Sequence, residues 1–116
     1  MTPIESDPRF LAAIEQLNAG EFFEASEGFE DLFFEAVRDE VPFARVFLQV
    51  SVGLFHAECR QRRPAIERLE EGLRAIQEVT NDRGYDLGGL AREVGNVVNA
   101  LRRGEKFDWP ALRLRR

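Results

Sequence analysis

Apolar residues recur along this chain at helical spacing in five successive stretches, and no stretch alternates with the period of two that marks a strand. The first holds Phe10, Leu11, Ile14 and Leu17. Asp7-Pro8 stands ahead of it, a capping carboxylate followed by a Pro at the first helical position, and Gly20 after Asn18-Ala19 suits the left-handed residue that ends a helix. The second, about 21–37, puts Phe22, Ala25, Ser26, Phe29, Leu32, Phe33 and Ala36 on one face, with Phe23, Phe34 and Val37 on a neighbouring face beside Glu27 and Glu30. The third begins at Pro42 and runs to about 59. Phe43, Val46, Phe47, Leu48, Val50, Val52, Leu54 and Phe55 nearly surround its axis, the pattern of a central helix. The polar residues of the third helix form one row, Arg45, Gln49, His56 and Arg60, interrupted by Gly53. The fourth starts near Pro64 and turns Ala65, Ile66, Leu69, Leu73, Ile76 and Val79 inward. After a loop at 80–84, Asp86 caps a fifth helix with Leu87, Leu90, Val94, Val97, Val98 and Leu101 inside and Gly104 at its end. Gly88, Gly89 and Gly95 weaken that helix and permit close packing on a neighbour. Phe107, Trp109 and Leu112 in the tail, 105–116, are expected to pack back on the bundle.

These stretches predict an all-α fold: a single five-helix domain over 1–116, built round a central antiparallel helical hairpin. The hairpin segment, 20–59, carries eight of the ten Phe residues and the only His. Burying a Phe is worth roughly 1.5–3 kcal/mol, so Phe23 and Phe34 are expected to be covered, by another helix of the chain or by a second subunit. At 116 residues the chain can bury a core without staples.

Composition narrows the function classes. The single cysteine, Cys59, forms no internal disulfide, fits a reducing compartment, and reads as an inert core residue one turn beyond Phe55. No apolar run reaches the length of a membrane span, and the first residues lack a signal-peptide pattern, so the expected location is the cytoplasm. The net charge of −5 argues against nucleic-acid binding, which needs cations against phosphate. The charge is uneven: residues 1–40 carry eleven acids against Arg9 and Arg38, while 41–116 carry fourteen bases against ten acids. The basic end at 113–116 reads as a solvated terminus.

The motif Phe22-Phe23-Glu24-Ala25-Ser26-Glu27-Gly28-Phe29-Glu30, followed by Leu48-Gln49, Phe55-His56 and Ala65, resembles the domain of unknown function 309 family over about 17–90. Gly20, Glu24, Ala25, Glu27, Glu30, Gln49, His56 and Ala65 match that family's pattern. The pattern's His stands here as Ser26, its Trp as Phe33, its Gly-Asn pair as Arg60-Gln61 and its later Gly as Pro64. The resemblance implies an all-helical fold with a central hairpin and carries no activity with it.

One constellation has chemical content. Ser26 and Glu30 lie one turn apart on the second helix; Gln49 and His56 lie two turns apart on the third. If the two helices are antiparallel neighbours, the four can meet between them. A His at position 26, as in the family pattern, would complete two imidazoles and a carboxylate for a divalent metal. With Ser26 there, a hydrogen-bonded polar cluster is the stronger reading. Ser26, His56 and Glu30 also have the residue types of a nucleophile, base and orienter, but no oxyanion hole accompanies them, and a helix Ser commonly bonds its own backbone. Arg45 and Arg60 flank the set as possible anion contacts, or as snorkelling partners of the acidic second helix. The expectation is a non-enzymatic interaction or scaffold domain without cofactor or metal, self-associating through surplus apolar surface around Phe23 and Phe34. The alternative is a small metal-binding or hydrolase-like enzyme using Ser26, Glu30 and His56.

Overall fold

The caps place the first and last helices where the sequence pattern put them. In the computed structural model, which describes residues 2–109, a 3-10 turn at Ile4–Ser6 precedes α1 (Pro8–Asn18), α2 (Phe22–Glu35), α3 (Glu40–Glu58), α4 (Arg62–Glu78) and α5 (Leu87–Arg102). No strand occurs among the described residues. The Asp7 carboxylate accepts from the Arg9 N–H, and Asp86 accepts from that of Gly89. Gly20 and Gly104 take the left-handed conformation just past their helices. α3 and α4 each begin two residues before the Pro expected to start them. The first-turn N–H groups of a helix have no internal acceptor, so Pro42 and Pro64 fit anywhere in that turn.

Consecutive helices run antiparallel. The Phe23 ring lies 5.3 Å from Phe55, and the Arg45 guanidinium sits 5.5 Å over Phe33, which pairs the start of α2 with the end of α3. The core is aromatic at its centre. Phe10 from α1, Phe29 from α2, Phe43 and Phe47 from α3, and Tyr85 from the α4–α5 loop lie with ring centroids 5.2–6.0 Å apart. Leu69 of α4 and Leu87, Leu90, Val94, Val97, Val98 and Leu101 of α5 are buried, as their spacing predicted.

The close approach of helices falls on glycines other than those expected. A Cβ on Gly53 would stand 2.7 Å from the Leu69 Cγ and 3.1 Å from the Leu69 backbone N; one on Gly72 would meet Val50 at 3.0 Å. Gly95 faces open space, and Gly89 packs against its own cap, Asp86. The α3–α4 seam is therefore set by Gly53 and Gly72. Helix propensity alone predicts that Gly53→Ala gains about 1 kcal/mol. Because part of the obstruction is backbone, the substitution is instead expected to lose about 1–3 kcal/mol, read as a lower urea midpoint. A raised midpoint would show that the seam yields freely.

Arg9 staples the α1–α2 hairpin, with its guanidinium 2.7 Å from Glu35 and 2.9 Å from Asp7. The hydrogen bonds to Arg9 hold both carboxyls below their ordinary values of 3.8 for Asp7 and 4.5 for Glu35. Groups with depressed folded values lend stability that is fully present above those ordinary values and is lost as pH falls through the folded ones. The stability difference between wild type and Arg9→Ala is therefore expected at neutral pH and should vanish well below pH 3.8. Urea melts at the two pH values check it; a gap that persists in acid would refute the assignment.

The tail packs back through Trp109, whose indole N–H donates to the Leu17 carbonyl at 3.0 Å while the ring approaches Phe22 at 6.4 Å. Leu112 and the basic 113–116 end lie outside the described residues. Cys59 is exposed rather than a core residue. It is the C-cap of α3, where the chain leaves the apolar seam and turns at Arg60. No helix is long and apolar enough to cross a membrane among the described residues.

Candidate functional site

α2 and α3 are the antiparallel neighbours that the candidate cluster required, yet the four polar residues do not join one another. The Ser26 hydroxyl donates to the Phe23 carbonyl of its own helix at 2.6 Å, the backbone bond that competes with any nucleophilic role. Glu30 is exposed. Gln49 turns to α4, where it lines a polar recess with Glu67, Glu70, Glu71 and Arg74. His56 Nδ1 lies 2.6 Å from the side-chain oxygen of Gln61, the residue capping the start of α4. Among the described residues, no hydrogen bond joins any two of the four, and no group of three or more His, Cys, Asp or Glu side chains is placed to hold a metal. The physical reason is the row's own interruption. Gly53 lets α4 close on α3 at that point, and Gln49, one turn earlier, faces the same seam.

Arg45 and Arg60 are also divided. Arg45 lies over the Phe33 ring and 3.9 Å from Glu78, linking α2 to α4 across α3. Arg60 follows the α3 C-cap with a left-handed backbone, φ 61°. That conformation explains why the family pattern has Gly at this position.

Two surface features remain. The first is an aromatic ridge on α2. Phe34 is 77% exposed, Phe23 is 48% exposed despite its contact with Phe55, and Val37 follows at 45%. The expected cover for Phe34 does not come from within the described chain: its only ring neighbour is Phe33 at 6.1 Å. Glu24, Glu27, Glu30 and Asp31 stand exposed along the same helix. The second is a recess of about 730 Å³ where the end of α3, the start of α4 and the end of α5 meet. Ala57, Leu101 and Phe107 form its apolar wall, and Arg60, Arg62 and Lys106 stand around it. Sequence reading did not single out Arg62 or Lys106, and it expected of Phe107 only that it packs back on the bundle, as it does. The basic clusters at 60–63 and 102–106 were visible, but which helix ends share a corner was not.

A family model described as Domain of unknown function (DUF309) matches residues 10–68, about half of the chain. The match takes in most of α1, which the motif resemblance left out, and ends inside α4. No curated protein and no solved structure matches the chain.

Proposed function

The chain belongs to the domain of unknown function 309 family, and from that premise we propose that it is a non-enzymatic helical interaction domain of the cytoplasm that self-associates through the aromatic ridge of α2. The observation that carries this reading is Phe34, a large apolar side chain left 77% exposed at the end of a helix whose inner face is fully packed. Aromatic side chains grouped on a surface and rimmed by polar groups are the usual mark of a protein contact. Phe23 lies about three helical turns back on the same face of α2, and Val37 follows in the α2–α3 connection, so a partner would meet apolar anchors at both ends of a rigid helix.

Sedimentation velocity over a concentration series tests it. The wild type is expected to exceed its monomer mass of 13.3 kDa as concentration rises. Phe34→Ser is expected to return it to that mass without lowering the melting temperature, because Phe34 contributes little to the core. A wild type that stays monomeric throughout, or a Phe34→Ser protein that assembles unchanged, would remove the ridge as a self-association surface.

A further inference from the structure

Resting on that reading, we propose that the association is head-to-tail: the Phe34 knob of one copy seats in the basic recess between the ends of α3, α4 and α5 of the next. The two features differ in shape and in charge. Phe34 is flanked one turn back by Glu30 and Asp31, both exposed, and among the described residues neither has an ion-pair partner. Arg38 follows in the α2–α3 connection. The recess offers the opposite balance. Arg60, Arg62 and Lys106 line it, its Glu105 is held by Arg103 at 2.9 Å, and Glu58 is the remaining acid. An aromatic ring fits the volume and meets Ala57, Leu101 and Phe107. The carboxylates beside the ring then face the three cations, and Arg38 has Glu58 as its counterpart.

The alternative pairing, α2 against α2 about a two-fold axis, sets Glu27, Glu30 and Asp31 of one copy against the same residues of the other. Like charges in register oppose such a contact. Position also favours the unlike pairing. Phe34 lies by the start of α3 and the recess by its end, and a 19-residue helix separates those points by about 27 Å. The molecule is 44 Å long and 25 × 23 Å across. A contact between different surfaces at opposite ends does not close on itself in a dimer; it propagates into chains or rings. Arg60 holds a backbone conformation that glycine would adopt without strain, and it brings a cation to the recess from there.

Complementation decides between the arrangements. Phe34→Lys removes the knob, and Arg60→Glu with Lys106→Glu reverses the recess; all three side chains are exposed, so both variants should melt near the wild-type temperature. In sedimentation velocity at low salt the wild type should grow with concentration beyond a dimer, and high salt should reduce its mass. Each variant alone should stay at 13.3 kDa. An equimolar mixture of the two should give a species of twice 13.3 kDa and nothing larger, because only one intact knob then meets one intact recess. A recess variant that still dimerises through Phe34 overturns the head-to-tail arrangement and leaves the ridge reading standing. A wild type that never associates removes both.

Discussion

Replacing Phe10 with Ala should lower the unfolding free energy by about 3–5 kcal/mol, the range for emptying a fully packed aromatic site. Phe10 is completely buried, and its ring touches Phe29, Phe43, Phe47 and Tyr85, with centroids between 5.3 and 5.7 Å. It is the one α1 side chain that reaches the rings of α2, α3 and the α4–α5 loop together. Truncation therefore opens a void walled by four rigid rings, which relax poorly into it. Urea unfolding should show the midpoint falling with the slope unchanged. Phe34→Ala, the same chemical change on the surface, should move stability by no more than about 0.5 kcal/mol. A Phe10→Ala loss of under about 1 kcal/mol would mean that α1 does not anchor the core as described.

Arg83→Met should cost about 2 kcal/mol, less than the 3–5 of a fully buried broken pair. Arg83 is only 9% exposed in its side chain and bonds Glu5 at 2.9 Å and Asp39 at 3.0 Å. Its guanidinium lies 5.6 Å over the Phe43 ring. One residue thus ties the N-terminal turn, the α2–α3 connection and the α4–α5 loop to the aromatic core. Two facts hold the estimate down: Asp39 is 45% exposed, and the Arg83 Nε is buried without an acceptor among the described residues. Removing Arg83 takes a counter-charge from Glu5, whose carboxylate is mostly buried. In a double-mutant cycle with Glu5→Gln, a coupling of about 1 kcal/mol or more is expected, and it should survive high salt because the pair is shielded from solvent ions. Additive effects would reduce Arg83 to a packing residue. Arg83 also has a left-handed backbone, φ 54°, so Arg83→Gly relieves strain that Arg83→Met leaves in place. A net loss from both substitutions would show that the ion pairs outweigh the backbone conformation.

Local rules carried far in this protein. The caps at Asp7 and Asp86 and the stops at Gly20 and Gly104 act within one helical turn, so neighbouring residues suffice to place them. The inner face of α5 was equally legible, because 3.6-residue periodicity leaves one choice when the other face is polar. α3 was different. Apolar on nearly every side, it gave no reason to prefer one neighbour for its polar row, and the row's contacts followed from the α4 seam at Gly53. Tyr85 had no periodic pattern behind it, since it lies in a loop, and its burial against Phe10, Phe43 and Phe47 depends on where that loop crosses the core.

The order of residues alone determined that the described residues form five α-helices, where most of them begin and end, and that the second and third form an antiparallel pair. It did so because capping and amphipathic period are short-range effects. Only the tertiary structure decided that Ser26, Glu30, Gln49 and His56 stay apart, that Phe34 is left bare, and that Arg60, Arg62 and Lys106 gather at one corner. Those outcomes depend on how helices rotate and stack over distances of many residues. There a single missing side chain, at Gly53, has more say than the spacing of the groups it separates.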